Sequence, residues 1–168
     1  DRDGYSAVQL CYGEIKDQKL SKGERGHLEK QKVPAVRYLR EFRAKTIDVK
    51  EGDKIDVGQF AVGSHVDIVG YSKGRGFAGS VKRYGFNGGP KTHGASDRLR
   101  APGSSGSGTT PGRVYKNKRR PGRMGNDRVT SQNVKVVFVN VEKNLLGVNG
   151  SIPGPKGGLV VIKEARKQ

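Results

Sequence analysis

Three glycines are spaced in a way that could bind phosphate, in the sequence Gly74-Arg75-Gly76-Phe77-Ala78-Gly79. This is the spacing of a dinucleotide-binding loop and, with Val81, of a kinase glycine-rich loop. A dinucleotide site also needs an apolar helix after the glycines and an acidic residue about 20 positions later. The residues that follow are Lys82, Arg83, Gly85, Gly88, Gly89 and Pro90. We expect no helix in such a segment, so the loop is only a weak indication of a nucleotide cofactor.

The same segment suits the backbone of a nucleic acid. Glycines let phosphates approach the main chain, basic side chains neutralise them, and aromatic side chains pack against bases or sugars. The basic residues are Lys73, Arg75, Lys82 and Arg83, and the aromatic residues are Phe77, Tyr84 and Phe86. A solvated basic loop with a few locally buried aromatics is the alternative for any single residue, but it explains the whole segment poorly.

Further candidate residues continue toward the end of this region. His93 could act as a general base, but the sequence places no nucleophile or orienting carboxylate beside it, so we expect it to contact RNA. The dense basic run at 116–123 lies inside the chain before a strand pattern, which favours a structured RNA contact over a tail. The predicted RNA-binding residues are Lys73, Arg75, Phe77, Lys82, Arg83, Tyr84, Lys91, His93, Arg98, Arg100, Arg113, Lys116, Lys118, Arg119, Arg120 and Arg123.

The positive charge of the chain is concentrated in its middle. The formal net charge is +17, and residues 70–128 hold 14 basic and 2 acidic side chains, against 13 and 12 in residues 1–69 and 6 and 2 in residues 129–168. The middle also contains 14 of the 26 glycines and 4 of the 7 prolines. We therefore predict a long irregular extension, residues 70–128, that a polyanion such as RNA orders.

The segments on either side of the extension have the pattern of a mainly β domain. Apolar, β-prone runs predict strands at 5–12, 57–69, 134–141 and 158–163, and a further strand near 36–42. The turn residues between these runs favour a small barrel. One charged surface helix is expected at 22–32, packed through Leu28. Residues 1–69 and 129–168 would thus form one β-barrel domain that the extension interrupts.

The sequence disfavours several other classes of protein. No apolar run approaches the roughly 18 to 20 residues of a membrane span, and no signal peptide is visible, so we expect a cytoplasmic protein without a membrane partner. Cys11 is the single cysteine, and the three histidines are far apart, which leaves no metal-ligand spacing. We expect no catalytic residue, metal, cofactor, small-molecule substrate or homo-oligomer.

Seven short motifs follow one another along the chain. They are Asp3-Gly4-Tyr5, Arg40-Glu41-Phe42-Arg43, Ser72-Lys73-Gly74-Arg75-Gly76-Phe77-Ala78-Gly79, Lys82-Arg83, Thr92-His93-Gly94, Thr110-Pro111-Gly112-Arg113-Val114 and Gly154-Pro155-Lys156-Gly157-Gly158. In this order they resemble the bacterial-type ribosomal protein L-three family of the large subunit. The series covers nearly the whole chain, so the resemblance is specific.

The resemblance implies a closed Greek-key-like barrel of the type shared with translation elongation factors. It also implies a non-enzymatic role in the large ribosomal subunit, in which the extension runs through 23S rRNA toward the peptidyl transferase centre. Members act early in subunit assembly and contact the ribosomal proteins L-fourteen and L-nineteen. The family's opening segment is absent from this sequence, so we expect the first barrel strands to be missing. A glutamine that some members carry methylated is also absent from Gly106-Ser107-Gly108-Thr109, so we do not expect that modification.

Two alternatives from other classes remain open. One is a free-standing RNA chaperone or translation factor that binds transiently, and the other is a nucleotide-dependent enzyme that uses the glycine loop. Retention in salt-washed large subunits would distinguish a stable component from a transient factor. Nucleotide binding by the isolated chain would support the enzyme.

Overall fold

The computed structural model describes residues 4–44 and 49–167, and within them the chain is mainly β, as predicted. It divides into two compact units, with the boundary between Asp56 and Val57. The extension belongs entirely to the second unit. The division into one interrupted barrel domain and its closure into a barrel stay predictions.

The first unit is an antiparallel strand pair with a helix in the connection. Strand β1 (Ala7–Glu14) pairs with strand β2 (Val36–Arg43), and a 3-10 turn (Asp17–Lys19) and helix α1 (Lys22–Lys30) lie between them. The expected strands and helix are confirmed to within two residues at each end. Leu28 is buried on the helix, also as predicted.

Helix α1 begins with a capping box formed by Ser21 and Glu24. The Glu24 carboxylate accepts a hydrogen bond from the Ser21 backbone N–H at 2.9 Å, and Ser21 Oγ accepts one from the Glu24 N–H at 3.3 Å. Both bonds satisfy N–H groups that have no partner within the helix. The pKa of Glu24 lies below its usual range because hydrogen bonds from Ser21 favour the charged carboxylate. The bond from the Ser21 backbone has the larger effect, and the bond from its side chain has the smaller effect.

The second unit contains the larger sheet and the extension. In chain order its elements are a 3-10 turn (Val57–Gln59), β3 (His65–Tyr71), β4 (Phe77–Ala78), α2 (Ser80–Tyr84), β5 (Gly122–Arg123), β6 (Arg128–Asn140), β7 (Leu145–Asn149) and β8 (Val161–Glu164). Strands β3, β6, β7 and β8 form an antiparallel sheet in the order β7-β6-β3-β8. Strands β4 and β5 form a separate pair.

One face of the four-stranded sheet carries the core of the second unit. Val66 and Ile68 on β3 and Val134 and Val136 on β6 are buried, since alternate residues of a strand point to the same face. Partly buried apolar side chains pack against these four residues: Phe60, Val139, Leu146, Val148, Val160 and Ile162. The extension therefore departs from a sheet that has a packed core, between β3 and β6.

A β-bulge bends strand β6 in the middle of this sheet. The register between β3 and β6 shifts between Val66 and Ile68, where β6 carries one extra residue. Within the bulge Asn133 has a φ of 54°, and its backbone N–H donates to Asp67 Oδ1 at 2.9 Å. A bulge leaves a backbone group out of the ladder and strengthens the local twist. The Asp67 carboxylate supplies the missing acceptor.

The strand predicted at 57–69 is wrong in its first half. The segment starts with a 3-10 turn at Val57–Gln59, and β3 begins only at His65. Gly63, with a φ of 91°, and the hydrogen bond from the Ser64 N–H to the Ala61 carbonyl turn the chain before the strand. Alternation of apolar residues alone did not reveal this turn.

Two short elements depart from the sequence-based expectations. Helix α2 occupies a segment for which no helix was expected. The helix can form there because its five residues end before the glycines. Gly85 closes the helix with a φ of 71°, and Pro90 lies beyond its C-terminus.

Strand β7 has no counterpart among the predicted strands. It is a five-residue strand between two asparagine turns, and its apolar pattern is short.

Candidate nucleic-acid interface

The extension leaves the sheet as a two-stranded stem, which we define as residues 72–78 and 122–127. The Ser72 backbone N–H donates to the Asp127 carbonyl, and the Arg75 N–H donates to the Met124 carbonyl, each at 2.9 Å. Strands β4 and β5 continue this pairing to the far end of the stem. The two ends of the extension therefore lie side by side, and residues 79–121 form its tip.

Gly125 allows the two sides of the stem to come close together. Its φ is +75°, and a Cβ at this position would lie 2.2 Å from the Lys73 carbonyl oxygen. An L side chain would be strained by this backbone conformation and would also collide with the opposite strand. The spacing of the stem thus depends on glycine at this position.

Arginine side chains tie the tip together. The Arg83 guanidinium donates to the Arg120 carbonyl at 3.0 Å, and its Cζ lies 5.0 Å from the centre of the Tyr84 ring. Arg119 approaches the same ring at 5.7 Å. Arg120 donates in turn to Ser105 Oγ at 2.7 Å. These contacts join α2 to two distant segments of the tip.

An open cleft of about 660 Å³, here called the aromatic cleft, lies between residues 84–90 and 98–103. Tyr84 and Phe86 line it with ring centres 6.0 Å apart and ring planes inclined by 35°. The two arms meet where the Gly89 backbone N–H donates to the Leu99 carbonyl at 3.0 Å. This close approach depends on glycine, because a Cβ on Gly89 would lie 2.6 Å from the Arg98 carbonyl oxygen.

A second cleft of about 400 Å³, here called the basic cleft, adjoins the first. Four residues line both clefts: Phe86, Pro102, Gly103 and Arg119. The remaining residues of the basic cleft are Ser104, Ser105, Asn117, Lys118 and Arg120. Hydroxyl, amide, ammonium and guanidinium groups are the donors that bind phosphate oxygens in proteins.

The structure brings only part of the predicted site residues together. Tyr84, Arg98, Lys118, Arg119 and Arg120 line the two clefts. Arg83 supports them through its hydrogen bond to the Arg120 carbonyl. Lys73, Arg75, Phe77 and Arg123 lie on the stem, and Lys82, Lys91, His93, Arg100, Arg113 and Lys116 are exposed on the tip outside both clefts.

Phe77 is the most conspicuous residue of the stem. It is 80% exposed, and in the strand pairing it lies opposite Arg123. An aromatic side chain on the surface next to cations is suited to stacking on a base. Its exposure shows that it is not part of the core, and its role as an RNA contact stays a prediction.

Other residues of the clefts had not been singled out from the sequence. Ser104, Ser105 and Asn117 line the basic cleft, and Gly88 and Gly89 form the meeting point of the two arms. Serine and asparagine are too common in loops to signal a site by themselves. The pair of glycines before Pro90 was a usable signal of close backbone approach, but it indicates no partner.

The charge of the extension is not neutralised within the protein. In the described part of the chain, none of the basic side chains of residues 70–128 forms an ion pair with a carboxylate. All of them except Arg83 are exposed. Like charges held on one surface repel each other and attract a polyanion. The described residues also contain no group of three or more His, Cys, Asp or Glu that could hold a metal ion.

A small β-sheet that carries a long, unneutralised basic extension is typical of a structural nucleic-acid-binding protein. No helix within residues 4–44 and 49–167 is long and apolar enough to cross a membrane. The family model described as ribosomal protein L3 matches residues 35–144.

Several proteins that are similar to this chain over almost its full length share one name. "Large ribosomal subunit protein uL3" of Roseiflexus sp. (strain RS-1) is 60% identical, covering 99% of this chain and 80% of the relative. The proteins of that name from Herpetosiphon aurantiacus and Petrotoga mobilis are 56% and 48% identical, with 79% and 78% of their lengths covered. The chain belongs to the ribosomal protein L3 family. The resemblance seen in the sequence is confirmed, and the nucleotide-dependent enzyme is excluded, because this is a family of structural ribosomal proteins.

Proposed function

We propose that the chain is a structural constituent of the large ribosomal subunit and binds 23S rRNA through the extension. It acts in the cytoplasm, in the ribosome, where it supports early subunit assembly and steadies the RNA near the peptidyl transferase centre. Relatives named as large-subunit proteins support this role. The observation that carries the proposal is the set of 14 basic side chains in residues 70–128 that have no carboxylate partner in the described chain.

The physical basis of binding is the neutralisation of phosphates. Each basic side chain that meets a phosphate releases counterions from the RNA, which makes binding strong at low salt and weak at high salt. The stem sets the direction in which the tip leaves the sheet, and the exposed glycines of the tip let RNA approach the backbone. The sixteen residues predicted from the sequence, from Lys73 to Arg123, are the proposed contacts. Arg83 is partly buried, and it also supports the tip through its hydrogen bond to the Arg120 carbonyl.

We further propose that residues 1–69 and 129–168 form the closed Greek-key-like barrel of the translation-protein type. Two register shifts in β6 support this, since bulges curl a sheet. The barrel would face the neighbours L-fourteen and L-nineteen. Cross-linking of intact large subunits, followed by mass spectrometry, should join lysines of residues 1–69 or 129–168 to both proteins. Cross-links to other proteins alone would refute this placement.

The test of the extension uses the geometry of its stem. Residues 79–121 are replaced by Asn-Gly, the two-residue turn that joins paired antiparallel strands, because Ala78 and Gly122 are direct partners at the end of the stem. The sheet and stem are preserved while ten basic side chains are removed. We expect the affinity for 23S rRNA to fall at least a hundredfold and the dependence of log K on log salt to flatten by several units.

An unchanged affinity and salt dependence in this variant would place recognition outside the tip and refute the proposal. A second measurement separates a stable constituent from a transient factor. Large subunits that contain the chain are washed at high salt and sedimented. We expect the chain to remain with the particle, whereas its quantitative release would favour the transient factor.

A further inference from the structure

We infer that the tip holds one unpaired nucleotide of the RNA, with the base in the aromatic cleft and its phosphate in the basic cleft. This inference rests on the proposed RNA-binding function and assigns the two clefts to one ligand. Tyr84 and Phe86 bring two aromatic rings to this open cleft between residues 84–90 and 98–103. A base inside a helix is already covered on both faces by its neighbours, so only an unstacked base can enter.

Phe86 is the stacking surface of the aromatic cleft. The Tyr84 ring is already engaged by two guanidinium groups, Arg83 at 5.0 Å and Arg119 at 5.7 Å. Phe86 has no cation of this kind among the described residues, and its ring is inclined to that of Tyr84 and does not lie flat against it. Phe86 is partly exposed and lines the cleft, so we assign its ring to the base, and stacking on an aromatic side chain is tolerant of base identity.

The basic cleft offers donors at the position that a phosphate would take. Ser105 Oγ accepts a hydrogen bond from Arg120 at 2.7 Å, which leaves its own O–H free to donate. Lys118 lines the same cleft and is exposed. Ser104 is different, because its hydroxyl already donates to the Gly106 carbonyl at 2.9 Å. We therefore assign the phosphate to Ser105, Lys118 and Arg120.

The shared wall makes the two clefts one site. Phe86 and Arg119 line both clefts, as do Pro102 and Gly103. A base that stacks on Phe86 in the aromatic cleft thus lies next to the basic cleft, because Phe86 lines both. Because both clefts are open at the surface, a free mononucleotide lacks the flanking chain that would hold it. An RNA strand provides that chain, so the occupant is part of an RNA.

The first test removes stacking without removing apolar volume. Large subunits that contain Phe86→Leu are compared with wild type by 2′-hydroxyl acylation and base-specific chemical probing of 23S rRNA. We expect one unpaired nucleotide, protected in wild type, to become reactive, and the affinity of the chain for 23S rRNA to fall about tenfold. Phe86→Tyr should keep that nucleotide protected, because it keeps the aromatic face.

Tyr115→Leu is the matched control for this test. Tyr115 is a half-exposed aromatic residue of the same tip with its own arginine, Arg113 at 5.0 Å, but it lines neither cleft. We expect Tyr115→Leu to leave the identified nucleotide protected. If Phe86→Leu exposes no nucleotide, or exposes the same one as Tyr115→Leu, the inference is overturned.

The second test asks whether base and phosphate belong to one nucleotide. Phosphates whose ethylation blocks binding are mapped for wild type, for Lys118→Gln and for Lys116→Gln, which loses the same charge outside the clefts. We expect Lys118→Gln to lose interference at a phosphate next to the nucleotide that Phe86→Leu exposes. Lys116→Gln should keep interference there. Interference lost at a distant phosphate would overturn the inference.

These outcomes are separate from a failure of the proposed function. If the wild-type chain does not bind 23S rRNA or does not enter large subunits, the proposed function itself is wrong. If the chain binds and assembles normally but no single nucleotide depends on Phe86, only the nucleotide site is wrong. Binding of free mononucleotides by the isolated chain, at the affinity of the RNA, would also contradict the need for a flanking strand.

Discussion

The carboxylate of Asp67 accepts a hydrogen bond from the backbone N–H of Asn133 at 2.9 Å, across 66 residues of sequence. Its other oxygen accepts from the Arg166 N–H at 3.4 Å. One side chain on β3 thus satisfies both the bulge of β6 and the segment after β8. The whole extension lies between Asp67 and Asn133 in the sequence. This contact therefore joins β3 and β6, the two strands between which the extension is inserted.

Asp67→Ala should lower the free energy of unfolding of the second unit by about 2 kcal/mol. The substitution removes a charged acceptor from two backbone donors, and hydrogen bonds to charged groups contribute about 1.5–3 kcal/mol. Urea denaturation at neutral pH measures the change. Asp97→Ala, at an exposed position of the tip, is the control and should stay within about 0.5 kcal/mol of wild type. Equal effects of both substitutions would contradict the role of Asp67.

Neighbouring valines of β6 provide a second matched pair. Val136 is fully buried in the core and Val137 is 56% exposed. Val136→Ala should destabilise the second unit by about 2 kcal/mol, since it removes buried methyl groups and leaves a cavity. Val137→Ala should cost less than about 0.5 kcal/mol. Thermal denaturation would refute the register of β6 if the two results were reversed.

Gly89→Ala should open the meeting point of the two arms of the tip. The added Cβ would lie 2.6 Å from the Arg98 carbonyl oxygen, so the hydrogen bond from residue 89 to the Leu99 carbonyl is lost. We expect the backbone N–H of residue 89 to exchange with solvent at least about tenfold faster. Gly108→Ala, which meets nothing within 4 Å and needs no positive φ, should leave this exchange unchanged.

Arg83→Lys tests whether the geometry of the guanidinium, and not its charge, ties the tip together. Lysine keeps the charge but cannot both donate to the Arg120 carbonyl and lie flat on Tyr84. We expect chymotrypsin to cleave the tip of the free protein about fivefold faster, the factor for one lost hydrogen bond of about 1 kcal/mol. Lys82→Arg, one residue earlier and exposed, should not change the rate. Similar rates for both variants would contradict the assignment.

The capping box of α1 predicts a dependence on pH. Because the folded pKa of Glu24 is lowered, its carboxylate stabilises the helix fully above about pH 4.5, and this contribution is lost as the pH falls through the lowered pKa. Carbon-13 NMR of the Glu24 carboxyl group measures the midpoint. Ser21→Ala removes the side-chain hydrogen bond and should raise the midpoint toward the usual range. An identical midpoint in both proteins would show that the Ser21 hydroxyl does not contribute to the lowered pKa of Glu24.

Much of the β architecture was predictable from the sequence, because the buried strands alternate strongly. Val66 and Ile68 are core residues in the predicted strand, and helix α1 has its buried Leu28 where the sequence placed it. The turn at Val57–Gln59 and strand β7 were missed for one reason. Short elements are fixed by hydrogen bonds to residues distant in sequence, as from the Val57 N–H to Asn144 Oδ1, and no local pattern records such bonds.

The candidate site was predictable as a region but not as an arrangement. Charge counting identified residues 70–128, since the excess of lysine and arginine there is large. It could not separate Arg83, which is engaged inside the tip, from Lys82, which is exposed. Nor could it find Ser105, which becomes part of a basic cleft only because Arg120, 15 residues later, donates to it.

The stem has a consequence for how members of such a family can differ. Ala78 and Gly122 are partners at the end of the stem, so the pairing of the stem and the sheet does not depend on how many residues lie between them. The entropy of closing a loop grows only slowly with its length, so added or removed residues at an exposed point such as Gly108 cost the sheet little. The length of the tip, and so the distance that it extends from the stem, can thus change between proteins while the sheet and the stem stay the same.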